Sequence, residues 1–159
     1  MSRGPADVTL EHAFDITVFF GADRVIFPPS PGGAAQGYTP PIGGAITGPL
    51  LNGAVVPNSG ADYATVRPDG VIELNAHYLL KAEDGTPIYI MNKGYLVPSE
   101  KPKSEQGPQQ QPQPSYFRLT PYFRVPEGPH DWLMRTCIVG GGERLSDPDR
   151  SLFRYYKVV

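Results

Sequence analysis

Two alternating runs, Val71–Ala82 and Thr86–Lys93, are separated by Glu83-Asp84-Gly85. Nothing else in the chain constrains its fold as much. An Asp-Gly step between alternating apolar and polar residues signals a hairpin, because glycine enters positive φ without steric cost. A second such step, Asp69-Gly70, divides Ala61–Arg67 from Val71. The segment therefore predicts a three-stranded antiparallel meander. Within it, Ile72, Leu74, Ala76, Tyr78 and Leu80 share one face, and Val71, Glu73, Asn75, His77 and Leu79 share the other. The first face is the predicted core. The second is either solvent-facing or the polar wall of a cavity, a choice that periodicity leaves open. Ile88, Ile90 and Asn92 alternate in the same way against Tyr89, Met91 and Lys93.

The flanking segments extend this pattern. Phe14, Ile16, Val18 and Phe20 fall on one side of a first strand, and the β-branched Ile16-Thr17-Val18 argue against a helix continuing from Leu10–Asp15. Pro28–Pro41 is so dense in proline and glycine that no regular element is expected there, only a long loop, mobile or draped over a mouth. Ile42–Thr47 and Ala54–Pro57 read as short strands, and Gly43-Gly44 suggests a bulge or a close backbone approach. Pro98–Ser115 is a Gln/Pro-rich polar tract with almost nothing to bury, and reads as a surface loop. Beyond it, Ser115–Val125, Trp132–Gly140 and Leu152–Val158 read as strands. That last part is too short and too strand-like to fold alone, so residues 1–159 read as one domain with loops at 28–41 and 98–115. Roughly eight to ten strands without a helix commonly close into a barrel, which hides the sheet edges and encloses packed side chains or one small ligand. The expected class is an all-β antiparallel barrel.

Charge and cysteine content exclude several roles. A net charge of −2 gives no electrostatic footprint for nucleic acid and no polybasic patch for a membrane. A lone cysteine, Cys137, cannot form an intrachain disulfide, which is compatible with a reducing compartment. The first residues lack an apolar signal core, and no long apolar run spans a bilayer. These features predict a soluble, cytoplasmic protein.

A series of short motifs carries a family resemblance. Gly44, Gly48-Pro49, Asn52-Gly53, Val56-Pro57, Gly60-Ala61-Asp62-Tyr63, Arg67-Pro68-Asp69-Gly70 and Tyr78 come first. Asp84-Gly85, Asn92-Lys93-Gly94, Tyr116-Phe117 with Thr120-Pro121, and Trp132-Leu133 follow. In order and spacing this resembles domain-of-unknown-function family 3237, the small calycin-like barrels, from about Asp7 to Val159. The resemblance implies a calycin-like or lipocalin-like antiparallel barrel that associates with itself, and it implies no settled reaction. This chain departs from the family pattern in three places. It has Tyr63 where the family carries tryptophan, Asn75 and His77 where the family favours an acid and an arginine, and Lys93 where the family has arginine. These departures put a sister protein's activity in doubt for this chain, and they suggest the hypothesis that this strand face lines a pocket retuned for one compound.

The candidate chemistry sits on the meander. Asp62 opens a strand, where a carboxylate desolvated in an apolar barrel suits a general base. An Asx turn or an ion pair with Arg67 is the alternative. His77 is suited to proton shuttling near neutral pH, or is a satisfied structural histidine. Lys93 and Tyr89 share a face of the neighbouring strand, within reach of His77 or Glu73 across the hairpin. Lys93 is either solvated or placed to polarise a carbonyl and stabilise an enolate. Tyr63, Arg67, Tyr78, Tyr89, Tyr116, Phe117 and Trp132 are the expected substrate contacts, although aromatic residues serve core packing equally well. Because His77 and Tyr78 point to opposite faces, at most one faces the cavity; the expectation is His77, with the Ile72 and Leu74 face packed against loops or a second subunit. His12, His130 and Cys137 are isolated, and no zinc spacing, nucleophile elbow, Walker loop or dinucleotide fingerprint is present. Gly140-Gly141-Gly142 has no helix after it to cradle a phosphate.

The sequence thus points to a cofactor-independent enzyme without a metal. It would transfer a proton, isomerise, cyclise or eliminate on a small apolar or aromatic secondary-metabolite intermediate, with Asp62, His77 and Lys93 as catalytic groups. A small-molecule carrier using the same pocket is the alternative.

Overall fold

The structure is a computed structural model that describes residues 5–100 and 113–159. Thirteen strands follow one another along these residues. They are β1 (Leu10–Phe20), β2 (Val25–Ile26), β3 (Ala35–Tyr38), β4 (Pro41–Thr47), β5 (Gly53–Val55), β6 (Ala61–Asp62) and β7 (Thr65–Val66). After them come β8 (Ile72–Ala82), β9 (Pro87–Val97), β10 (Tyr116–Leu119), β11 (Tyr122–Arg124), β12 (Ile138–Leu145) and β13 (Arg150–Val158). Every strand pairing is antiparallel. The ring β1-β4-β5-β8-β9-β10-β12-β13 returns to β1, giving a closed barrel of 8 strands. Closure leaves no free edge in the ring, and its interior is the size that side chains can fill.

The predicted hairpin is the longest ladder in the molecule, running from Ile72 opposite Leu96 to Lys81 opposite Pro87. Gly85 closes its turn at a φ of 90°, a conformation that costs glycine little. Leu74, Ala76, Tyr78, Leu80 and Ala82 are buried on β8, as are Ile88, Ile90 and Asn92 on β9 and Phe14, Ile16 and Val18 on β1. The inner face is therefore the apolar set expected from the alternation. Two glycines of β12 make room for it. A Cβ on Gly140 would stand 2.7 Å from the Tyr155 ring, and one on Gly142 would stand 2.8 Å from the Phe117 ring.

One end of the barrel is plugged. A 3-10 turn at Asp131–Met134 inserts Leu133 into the core beside Phe123 and Ile138, and His130 Nε2 meets Asp84 at the β8–β9 turn at 2.9 Å. This corrects the expectation of a strand over Trp132–Gly140. Apolar residues at its start cap the core, and the ladder begins only where Ile138 lies opposite Lys157.

The opposite end is covered by the chain between β1 and β4 together with β6 and β7. Here too the sequence expectation needs correcting, because Pro28–Pro41 does form a regular element. Ala35–Tyr38 is free of proline, so its amides can pair, and β3 bridges β2 and β7. The tract Pro98–Ser115 lies largely outside the described residues. Among the described residues no helix is long and apolar enough to cross a membrane.

Candidate functional site

Under the covered end lies a cavity of about 200 Å³. Its barrel wall includes Val18, Phe20, Leu74, Ala76, Tyr78, Asn92, Phe117, Ser151 and Phe153, while Arg24, Ile26, Thr39, Asp62 and Val66 come from the cover. All of its barrel strands contribute the ends nearest the cover, because adjacent antiparallel strands place the end of one beside the start of the next.

Asp62 is placed by backbone geometry. β6 lies against β8 with Asp62 opposite Ala76, and Gly60 allows this approach because a Cβ there would run into the His77 carbonyl oxygen. Asp62 and Thr39 exchange both backbone hydrogen bonds at 2.9 Å, which pins the link between β3 and β4 to β6. The Asn75 backbone amide donates to Asp62 Oδ1 at 2.9 Å. Burial pushes the Asp62 carboxyl up to about 6, even though the Asn75 amide and the Arg24 charge act in the opposite direction. A carboxylate in that range is ionised near neutral pH and still basic enough to accept a proton.

Two arginines stand at the mouth. Arg24 donates to Asp149 Oδ2 at 2.9 Å, and Arg144 donates to Asp149 Oδ1 and to Ser151 Oγ, the latter at 2.8 Å. Both guanidinium groups lie over the Phe20 ring, at 5.6 and 5.3 Å from its centre. Deeper in the barrel, the Tyr78 hydroxyl is buried without a hydrogen-bond partner, and the Asn92 side chain meets the Tyr155 hydroxyl. Burial raises the Tyr78 phenol well above its ordinary range, and the nearby Asp62 charge adds to the effect. It stays protonated and so has an O–H to donate.

The expected site residues divide between the two faces of the barrel. Asp62, Tyr78 and Phe117 line the cavity. His77 and Tyr89 do meet across the hairpin, and Lys93 lies on the same face, but that face is the outer one. His77 Nδ1 stands 2.6 Å from the Tyr89 hydroxyl, His77 Nε2 stands 2.8 Å from Asn75 Oδ1, and Lys93 lies opposite Asn75. The expectation that the His77 face lines the cavity is thus corrected. Closing the barrel turns the apolar face inward, and that face carries Ile72, Leu74 and Tyr78. The substituted positions Asn75, His77 and Lys93 accordingly lie outside the cavity, against the hypothesis that they line a retuned pocket.

The other expected contacts also fall elsewhere. Arg67 pairs with Asp69 and stands 3.6 Å from Glu73, leaving Asp62 without the ion pair considered for it. Tyr63 is 47% exposed and packs on Tyr38 at 5.7 Å between ring centres. Tyr116 is exposed beneath Arg118, and Trp132 packs on the core at the plugged end. Polar cavity residues outside the expected set include Arg24, Thr39, Asn92, Arg144 and Ser151. Asn92 had a readable signal, being a polar residue on the face of Ile88 and Ile90. Among the described residues no three His, Cys, Asp or Glu side chains gather as a metal-ligand set.

The class this geometry defines is a small closed barrel with a buried carboxylate facing an apolar cavity. The model of a family described as a protein of unknown function, DUF3237, matches residues 8–158, and the chain belongs to that family. A UPF0311 protein of Clostridium acetobutylicum is 34% identical over 160 residues, covering 96% of this chain and 95% of the relative. One from Rhodopseudomonas palustris is 32% identical over 141 residues, covering 87% and 92%. A crystal structure of a beta-barrel like protein from Acinetobacter baumannii superposes with a TM-score of 0.84 at 28% identity, covering 99% of this chain and all of that one. A structure described as an enzyme from Penicillium herquei superposes at 0.72 with 20% identity, covering 100% of both chains, a likeness of fold.

Proposed function

We propose that this chain is a cofactor-independent enzyme that moves a proton on a small, largely apolar molecule held in the covered cavity. Isomerisation, cyclisation and elimination are the outcomes open to it, and Asp62 is the acid–base group. The observation that carries this reading is the position of Asp62. A carboxyl pushed up to about 6 by burial faces an apolar pocket, with one oxygen fixed by the Asn75 amide. Perturbed acids in clefts are functional-site candidates, and general base catalysis needs a pKa near the working pH. A carrier reading draws on the same cavity, since its mostly apolar wall can hold a ligand without reaction. Self-association, implied by the family resemblance, belongs to the proposal and is tested by sedimentation velocity of the purified chain.

Exchange of solvent deuterium into small aromatic ketones separates enzyme from carrier. The wild-type chain accelerates exchange, and Asp62→Asn lowers the rate by about a hundredfold or more, the usual loss for a positioned base. Equal rates in the two proteins would remove Asp62 from the chemistry and leave the carrier reading.

A further inference from the structure

The floor of the cavity holds polar groups that the proton-transfer reading does not use. Tyr78 and Asn92 line the cavity from adjacent strands, with Ala76 opposite Asn92 and Tyr78 opposite Ile90. Tyr78 is 3% exposed and Asn92 is 1% exposed. The Tyr78 hydroxyl has no hydrogen-bond partner, whereas the Asn92 side chain meets the Tyr155 hydroxyl. A buried polar atom left unpaired costs stability, so such atoms facing a cavity point to a ligand that completes them. Around them the wall is apolar and aromatic, with Leu74, Phe117 and Phe153.

We infer that this floor is a binding site for a carbonyl oxygen, with the Tyr78 O–H as donor, and that the substrates are small enolisable ketones bearing an aromatic ring. The inference rests on the proton-transfer reading and specifies its substrate class. A phenol that stays protonated cannot be the base, but it can stabilise oxygen charge developing opposite a carboxylate. Asp62 takes the proton from the carbon beside the carbonyl. The electron pair of that C–H bond becomes the new C=C bond, and the carbonyl π pair moves onto oxygen, where the Tyr78 O–H holds it. The Asp62 carboxyl exchanges its proton with solvent and then delivers a proton, or a deuteron in D2O, to the first carbon or to one conjugated with it, as the oxygen pair re-forms the carbonyl. No electron acceptor is required. Lys93, the enolate-stabilising candidate by sequence, is on the outer face, and Tyr78 takes that role within the cavity.

Infrared difference spectra of acetophenone labelled with ¹³C at the carbonyl, bound to the full chain, test this directly. The bound carbonyl band moves to lower wavenumber in the wild type, and Tyr78→Phe loses at least half of that shift. Tyr78→Phe removes an unpartnered hydroxyl only, so it folds and keeps the cavity. An identical band in both proteins, or no binding of acetophenone at millimolar concentration, would overturn the inference. Asp62→Asn retains the shifted band while losing deuterium exchange, so failure of the floor and failure of the base are read on separate signals.

Discussion

The backbone amide of Asn75 on β8 donates to Oδ1 of Asp62 on β6 at 2.9 Å. This bond orients a carboxylate that burial otherwise disfavours as an anion. It also uses only one of the two oxygens. The second oxygen carries no hydrogen bond among the described residues and is the atom available to a substrate proton.

The first prediction is a pH-dependent stability. The folded Asp62 pKa of about 6 lies above the ordinary value of 3.8, so the native state holds this proton longer than the unfolded state. Its stabilising contribution is therefore complete below about pH 4 and is lost as pH rises through 6. At 1.36 kcal/mol per unit the loss amounts to up to about 3 kcal/mol. Urea unfolding between pH 4 and 7 should show this decline in the wild type and a flatter profile in Asp62→Asn. Parallel profiles would contradict it.

Gly60→Ala should damage both fold and site. A Cβ at this position meets the His77 carbonyl oxygen, so β6 must move off β8 and take Asp62 with it. Overpacking of this kind costs about 1–3 kcal/mol. Denaturant midpoints check the stability, and deuterium exchange checks the site. Preserved values of both would mean that β6 is held more loosely than the strand pairing implies.

Tyr78→Phe should fold at least as well as the wild type. Its hydroxyl is buried without a partner, and relieving such a group yields about 1 kcal/mol. A midpoint lower than wild type by an equivalent amount would show that the hydroxyl is satisfied in solution.

The outer-face cluster should be dispensable for chemistry. His77→Ala combined with Lys93→Ala removes the hydrogen bonds to Tyr89 and Asn75, at a cost of about 1 kcal/mol of stability. Deuterium exchange should stay within about twofold of the wild type, since neither residue lines the cavity. A tenfold loss would place the chemistry on the outer face.

Strand alternation made the inner face of β8 readable in advance, because Ile72, Leu74, Tyr78 and Leu80 recur with period two. The same alternation could not say whether a polar partner face borders solvent or a cavity, and the assignment of His77 to the cavity failed there. What decides the matter is barrel closure between β13 and β1, a contact between opposite ends of the chain. Asp62 was legible through its glycine-led strand start. Arg24 and Arg144 were not, because a guanidinium beside a loop has no periodic signature and these two are brought together by Asp149 across a long sequence separation. The β3 strand was hidden by the prolines and glycines surrounding its short proline-free core.

The most direct measurement of the central claim follows the Asp62 carboxyl and the reaction together. Carbon-13 NMR of the labelled aspartate gives its titration midpoint, and the wild-type exchange rate is recorded over the same pH range. The expected result is a midpoint of about 6 and a rate that rises with pH through that same midpoint, as the carboxylate becomes available to accept a proton. A carboxyl titrating near 4, with an exchange rate indifferent to pH around 6, would contradict it.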